Sequence, residues 1–191
     1  MARPRNTDLR RAQIVEAMFS VMGERGYKGA SVAEVARRAG LAPGLVHYHF
    51  RDKRAVLLAL IEDLGERAAR RVGLGLAAPP GAERLDAVLD AFLGLGATAD
   101  PAEVACWAAA AVEATGDEGI RAAFARVIGG LIDHFEGLLR GAQPAATRGE
   151  AAALVAGLQG YFLLASAAPG EIPRGTAAAA MKRMAAGLVR G

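Results

Sequence analysis

Residues 31–53, SVAEVARRAGLAPGLVHYHFRDK, decide the fold of this chain. Ser31 and Glu34 form an S-x-x-E capping box, which predicts a helix beginning at the next residue after the serine. Gly40 can adopt the left-handed conformation that closes a helix. Pro43 fits the first position of a new helix, because its missing N–H would have no partner there. The stretch therefore predicts two short helices joined by a turn of three or four residues, which is the outline of a helix-turn-helix.

The second of these helices, from Pro43 to about His49, is too short to be stable alone in water. It must therefore be packed by its neighbours. Val46 and Phe50 lie four residues apart and are its expected anchors. Ala42 stands at the N-cap, where a Ser or Thr would stabilise the helix by roughly 1 kcal/mol.

The side chains left on the other faces of the second helix suit a DNA groove. Leu45 can touch a thymine methyl group, and His47 can hydrogen-bond a base edge. Lys53 opens a third helix, whose N-terminus is a natural seat for a phosphate. The arginines before the first helix suit a phosphate or a minor groove. The predicted DNA-binding residues are Arg3, Arg5, Ser31, Arg37, Pro43, Gly44, Leu45, His47, Tyr48, His49 and Lys53.

Plainer interpretations of the same residues stay open. Helix pairs with a glycine turn often serve packing alone, and a basic tail is often only solvated. A metal site at His47 and His49 is a poor prediction, because residues two apart point to different sides of a helix. We therefore predict no metal site.

The segment resembles the DNA-binding domain of the tetracycline-repressor (TetR) family, whose pattern is T-x-x-x-I-A-x-x-A-G-V-S-x-G-x-[IL]-Y-x-H-F-x-x-K. Two departures are Ala42, where the family usually has Ser or Thr, and His47, where it usually has Tyr. The H-Y-H-F version is similar to the BetI-like subgroup. The matching positions are Ser31, Val35, Ala36, Ala39, Gly40, Leu41, Gly44, Val46, His49, Phe50 and Lys53.

The rest of the chain predicts an all-α fold, because alanine is abundant and no long stretch alternates apolar and polar residues. We expect a three-helix head and a C-terminal bundle of about six helices, about nine in all. Residues 1–55 would form the DNA-binding domain, and residues 56–191 the ligand-binding and dimerisation domain. Residues 1–60 carry a net charge of +6, and residues 61–191 carry −3. A basic head on a mildly acidic body is typical of a DNA-binding module joined to another domain.

The helical body offers candidates for a small-molecule pocket. Aromatic side chains stand among small ones there, and an apolar cavity with a few polar groups is the usual ligand site. The predicted ligand-binding residues are Phe92, Trp107, Glu113, Phe124, His134, Gln159 and Tyr161. Each aromatic among them can equally be a core residue.

The helix expected over residues 147–167 is apolar on more than one face, which predicts that a partner subunit covers one of them. The resemblance implies a homodimer formed by the last two helices, a palindromic DNA operator and release by a small, mainly apolar effector. It also favours a role as a repressor.

Other classes of protein are disfavoured by the sequence. It offers no nucleophile–base pair, metal-spaced cluster or glycine-rich phosphate loop, so we expect neither an enzyme nor a cofactor. Cys106 is the single cysteine, which suggests a reducing interior. The N-terminus lacks the apolar core of a signal peptide, and no uninterrupted apolar run suggests a membrane span, so we expect a cytoplasmic protein. A DNA-binding regulator controlled by a protein partner, and a helical enzyme or carrier, remain as alternatives.

Overall fold

The computed structural model describes residues 6–93, 100–168, 170–172 and 175–190. Within them the chain forms nine α-helices, and the prediction of an all-α protein is confirmed. Arg3 and Arg5, predicted to contact DNA, lie outside the described residues. The helices are α1 (Asn6–Gly29), α2 (Val32–Ala39), α3 (Pro43–His49), α4 (Lys53–Gly75), α5 (Ala82–Leu93), α6 (Pro101–Gly116), α7 (Glu118–Ala142), α8 (Arg148–Ala167) and α9 (Ala177–Arg190).

The described residues form two compact units. The first comprises the described part of Met1–Leu64 together with Asp100–Ala125. Within it α1 packs against α2, α3 and α6. One apolar face of α1 is buried, with Ile14 and Met18 fully enclosed. This unit holds the whole helix-turn-helix.

The second unit comprises the described parts of Gly65–Ala99 and Arg126–Gly191. Its core is built around Phe135 of α7, with Leu85, Leu89, Leu139 and Leu154 among its neighbours. Within this unit α9 packs against α5 and α8. The functional division at residues 55 and 56 stays a prediction.

The helix ends show how the local sequence sets the chain path. Gly40 has a φ of 65°, and its N–H donates to carbonyls of α2, as a helix-closing residue does. Gly26 has a φ of 65° and a ψ of 175°, which are not helical, so α1 is divided there into two helical segments. The first segment ends near Arg25, as a glycine following a helix indicates, and a short second segment continues to Gly29. Ala42, as expected, offers no side-chain cap to α3.

Residues 147–150, like residues 31–34, have the sequence of a capping box, and the two sites differ in outcome. Thr147 and Glu150 form the complete box at the start of α8. Ser31 accepts a hydrogen bond from the Glu34 N–H at 3.1 Å, which is half of the other box. The Glu34 carboxylate accepts from Arg37 at 2.6 and 3.0 Å instead of reaching back to Ser31. A charged donor makes the stronger hydrogen bond, so the guanidinium is preferred to the backbone amide.

The expectation that no apolar run of membrane-spanning length is free of charges and helix breakers holds for α8, which carries Arg148, Glu150 and three glycines. By length and composition alone α8 is long and apolar enough to cross a membrane, with a mean hydropathy of 1.3 over its most apolar window. One face of α8 carries the buried residues Ala151, Leu154, Val155 and Leu158. Leu163 and Leu164, further along it, are exposed. Alanine and leucine on more than one face raise the hydropathy of this helix.

Candidate nucleic-acid interface

The candidate interface is the outer face of α3. Val46 is 1% exposed and Phe50 is also buried, so both predicted anchors are confirmed as core residues. Opposite them, Tyr48 is 79% exposed and Leu45 is 36% exposed. His47 is exposed beside them. A seven-residue helix held by two apolar anchors thus presents the apolar side chain of Leu45, an imidazole and a phenol to solvent.

The remaining predicted residues of α3 support this face. Pro43 occupies the first turn and is exposed. Nothing lies within 4 Å of a Cβ built on Gly44, so this end of the helix is open to a close approach by a ligand. His49 is half-buried, and its ring stands edge-on to Tyr48 with 5.1 Å between the centroids.

Ser31 and Arg37 are exposed but already have partners. The Ser31 hydroxyl caps α2, and the Arg37 guanidinium forms two hydrogen bonds with Glu34. The hydrogen bond from Arg37 holds the pKa of Glu34 below its ordinary value. A phosphate at this position would therefore compete with the Glu34 carboxylate for the guanidinium.

Lys53 has a role that the sequence did not predict. Its Nζ donates to the Tyr27 carbonyl at 3.0 Å and lies 4.0 Å from the centroid of the Tyr27 ring. The ammonium thus ties the start of α4 to the end of α1. Contact with a phosphate at the N-terminus of α4 requires the ammonium to share or leave these partners.

Two residues of α1 that the sequence did not single out for positioning reach the helix-turn-helix. Arg11 donates to the His49 carbonyl at 2.7 Å, and Gln13 donates to the Ala39 carbonyl at 2.6 Å. The partners are 38 and 26 residues apart in the chain. No local sequence signal could have identified these contacts.

A cleft of about 340 Å³ lies elsewhere in the first unit. It is lined by Tyr27, Arg54, Val112, Glu113, Thr115, Gly116, Asp117 and Ile120. Arg54 donates to both oxygens of Asp117, at 2.6 and 2.7 Å. Burial raises the pKa of Tyr27, and the Glu113 carboxylate adds to this shift. Arg54 and Asp117 thus fasten the start of α4 to the start of α7.

Asp117 also caps α7, because its Oδ1 accepts from the Ile120 N–H at 2.9 Å. The hydrogen bond from Arg54, and then the one from Ile120, hold the pKa of Asp117 well below its ordinary value of 3.8. A lowered carboxylate pKa stabilises the folded state above the ordinary pKa, and this stabilisation is lost as the pH falls towards the folded-state pKa.

Asp117→Asn should therefore lower the melting temperature at pH 7, and the difference from the wild type should shrink below about pH 4. Asparagine keeps the helix cap, so this variant isolates the charge. Asp117→Ala also removes the cap and should lower the melting temperature by about 2–4 °C more at every pH. Thermal unfolding from pH 3 to 7 measures both. If the melting temperature of Asp117→Asn lies below that of the wild type by the same amount at every pH, the charge of Asp117 is not the cause of the difference.

The predicted ligand-binding residues are divided between the two units. Trp107, Glu113 and Phe124 belong to the first unit, whereas Phe92, His134, Gln159 and Tyr161 belong to the second. Trp107 stands edge-on to Phe124 at 5.8 Å, and Phe92 lies 5.9 Å from Phe135. His134 is exposed, with its Nδ1 at 2.7 Å from the Gly130 carbonyl oxygen. Their role in ligand binding stays a prediction.

Cys106 is buried, and its thiol contacts the Phe19 carbonyl at 3.5 Å. Among the residues that the structure describes, no three His, Cys, Asp or Glu side chains are grouped as a metal site would require.

Two family models match the chain. Residues 14–60 match the model of bacterial regulatory proteins, tetR family. Residues 80–190 match the model of the BetI-type transcriptional repressor, C-terminal. The second match alone spans more than half of the chain.

Curated relatives match mainly at the head. The HTH-type transcriptional regulator BetI of Escherichia coli O17:K52:H18 is 35% identical over 85 residues, which are 43% of this chain and 44% of that protein. BetI of Yersinia pestis (strain Pestoides F) is 42% identical over 62 residues, or 30% and 31% of the two chains. The matched part thus spans less than half the length of these relatives.

Solved structures match over nearly the whole chain. A transcriptional regulator from Rhodococcus sp. Rha1 has a TM-score of 0.82 at 26% identity, covering 95% of this chain and 96% of that one. A putative transcriptional regulator from Saccharomonospora viridis in complex with choline has a TM-score of 0.77 at 20% identity, with 96% of each chain covered. The second likeness shows the fold alone.

Proposed function

The chain belongs to the tetR family of bacterial regulatory proteins, with a BetI-type C-terminal part, and from this premise we propose that it is a homodimeric repressor released from its operator by a small effector. The family consists of transcriptional regulators and not of enzymes. Within the family these proteins are soluble bacterial transcription factors, and we place this one in the cytoplasm.

The observation that carries the proposal is the contrast between the two faces of α3. Val46 and Phe50 are in the core, whereas Leu45, His47 and Tyr48 are exposed. A helix that is fixed on one side and bears base-reading side chains on the other fits a major groove. The predicted DNA-binding residues are proposed to act here, with His47 and Tyr48 at the centre of the surface.

The dimer is supported by apolar surface on the last two helices. Leu163 and Leu164 are exposed on α8, and Met184 is exposed on α9. Large apolar side chains of this kind are removed from water when a second copy covers them. Two-fold symmetry would then place two recognition helices one DNA turn apart, roughly 34–36 Å.

The effector is proposed to be small and mainly apolar, and to bind within the C-terminal helical domain. Two proteins of the same fold are described with small molecules: choline in one, and stearoyl-CoA in a FadR from Bacillus subtilis. An effector needs only a differential affinity of about 1–3 kcal/mol for two states of the protein to release DNA. A regulator controlled by a protein partner is the alternative, and a thermal-shift screen with small molecules separates the two.

An operator-binding assay on the purified protein tests the proposal. DNA from upstream of the protein's own coding sequence should bind in a salt-sensitive, sequence-preferring way, with two chains per site. If neither the free protein nor the protein mixed with candidate effectors prefers this DNA to random sequence, the proposal fails.

Single substitutions should separate positioning contacts from base readout. Lys53→Ala should weaken binding on all sequences alike. It should also reduce the steepness with which log affinity falls against log salt concentration (the salt slope) by about one for each subunit bound. His47→Ala should relax the preference at one operator position by about 1–3 kcal/mol and leave the slope unchanged. Titrations on operator and scrambled DNA at several salt concentrations measure both. The reverse pattern would exchange the two roles.

A further inference from the structure

Side chains from other helices close the C-terminal ends of the first three helices. Gln13 donates to the Ala39 carbonyl at the end of α2, and Arg11 donates to the His49 carbonyl at the end of α3. Lys53 donates to the Tyr27 carbonyl near the end of α1. The last carbonyls of a helix have no partner within the helix, so Gln13 and Arg11 satisfy acceptors that would otherwise depend on water. The Tyr27 carbonyl also accepts from the Ala30 N–H at 3.1 Å, so Lys53 adds a second donor there.

The contact from Arg11 matters most for the orientation of α3. This helix has only seven residues, and its N-cap Ala42 offers no side-chain hydrogen bond. The position of α3 is therefore fixed by its anchors Val46 and Phe50 and by the hydrogen bond that the carbonyl of its last residue, His49, accepts from Arg11. A helix this short keeps no orientation of its own.

Arg11 holds this end of α3 in two ways. Its guanidinium donates to the His49 carbonyl at 2.7 Å, and its Cζ lies 4.1 Å from the centroid of the Phe50 ring. Phe50 is both the C-cap of α3 and a buried anchor. A positive charge is favourable at a helix C-terminus and over an aromatic face.

Gln13 extends the same arrangement to α2. Its amide N–H donates to the Ala39 carbonyl, and its amide oxygen accepts a hydrogen bond from Arg10 at 2.7 Å. One surface of α1 therefore meets the ends of both helices of the helix-turn-helix. The angle between α2 and α3 is fixed against a third helix and does not depend on the turn alone.

We propose that Arg11 is a positioning residue for DNA recognition, which holds the C-terminal end of α3 so that its exposed side chains meet base edges in register. In this proposal the charge of Arg11 serves the His49 carbonyl and the Phe50 ring and not a phosphate. Lys53 has the same two kinds of contact at Tyr27, and the salt slope decides for each residue whether it also reaches a phosphate. This inference rests on the proposed function, since it assigns α3 to the DNA.

Operator titration of Arg11→Ala, Arg11→Lys and the wild type at several salt concentrations tests the inference. Arg11→Ala should bind its operator about tenfold more weakly, while its binding to scrambled DNA and its salt slope stay unchanged. Arg11→Lys should recover part of the loss, because an ammonium can also donate to the carbonyl and lie over the ring. Arg37→Ala serves as the reference for an arginine proposed to reach the DNA, and its slope should fall. A fall of about one per subunit in the slope of Arg11→Ala, with equal losses on both DNAs, would overturn the proposal.

Amide hydrogen exchange of the free protein supplies a readout that needs no DNA. Exchange in α3 should be faster in Arg11→Ala than in the wild type, and exchange in the second unit should be unchanged. Unchanged exchange in α3 would also overturn the positioning role. If the wild type binds no operator yet α3 exchanges faster in the variant, the proposed function fails and the structural contact stands. If Arg11→Ala does not fold, the same two comparisons are made with Arg11→Lys, which should show the same changes in smaller measure.

Discussion

Phe135→Ala should lower the free energy of unfolding by about 3–5 kcal/mol. Phe135 is 0% exposed and belongs to the hydrophobic core of the second unit. Its ring lies 5.9 Å from the Phe92 ring, so truncation removes an aromatic pair as well as buried surface. The cavity that remains adds to the lost transfer free energy, because helices on several sides keep the space from collapsing.

Chemical denaturation followed by far-ultraviolet circular dichroism measures this loss. Phe135→Leu retains much of the apolar volume and should lose clearly less. Gly137→Ala, two residues further along α7, is the matched control. Nothing lies within 4 Å of a Cβ built on Gly137, so the methyl group should stabilise the helix by about 0.5–1 kcal/mol. A loss below about 1 kcal/mol for Phe135→Ala would show that this core is loosely packed.

Much of the fold could be predicted because its signals are local. Gly40 and Pro43 mark the ends of neighbouring helices through their own backbone preferences. Val46 and Phe50 reveal the buried side of α3 by their spacing. Thr147 and Glu150 form their capping box within four consecutive residues. Each of these features is decided by residues no more than one helical turn apart.

The contacts that orient the interface could not be predicted for the same reason. Arg11, Gln13 and Lys53 find their carbonyl partners 26 or more residues away. Sequence spacing shows that Arg11 opens a helix and is basic, which suggests a phosphate ligand as readily as a positioning residue. Only the packing of α1 against α3 distinguishes the two.

The ligand-binding residues show a second limit. An aromatic residue among small ones gives the same signal in a pocket and in a core. Trp107 pairs with Phe124, and Phe92 pairs with Phe135, as core aromatics do. A ligand pocket is defined by the space that side chains leave open, and sequence spacing carries no measure of that space.

Gly23→Ala should lower the free energy of unfolding, although alanine favours a helix by about 1 kcal/mol over glycine. Gly23 lies in α1, and a Cβ built on it would stand 2.4 Å from the Ala102 Cβ and 2.7 Å from the Ala102 Cα. One of these atoms is backbone, so α1 and α6 must separate to admit the methyl group. Overpacking of this kind costs about 1–3 kcal/mol or more, and the close approach to backbone puts the change at the upper end. We expect a net loss of about 1–2 kcal/mol.

The control is Gly73→Ala in α4, where nothing lies within 4 Å of the new Cβ. This variant should gain up to about 1 kcal/mol, so the same substitution should have opposite signs in the two helices. Ala102→Gly should recover only part of the loss in Gly23→Ala, because it removes the Cβ at 2.4 Å but leaves the Ala102 Cα at 2.7 Å. A double-mutant cycle measured by denaturant unfolding gives the coupling between the two sites. A gain in Gly23→Ala equal to that in Gly73→Ala would mean that α1 and α6 are not in close contact.

The expected consequence of Gly23→Ala reaches beyond stability. The helix that must move, α1, also carries Arg11 and Gln13, which close the ends of α3 and α2. A shift of α1 away from α6 therefore changes the support of the helix-turn-helix without altering any residue of the DNA-facing surface. We expect operator affinity to fall in Gly23→Ala and to be restored in part in the double variant with Ala102→Gly, while the salt slope stays that of the wild type. Since α6 belongs to the BetI-type region that is proposed to respond to the effector, we expect a change in α6 to alter DNA binding through its contact at Gly23.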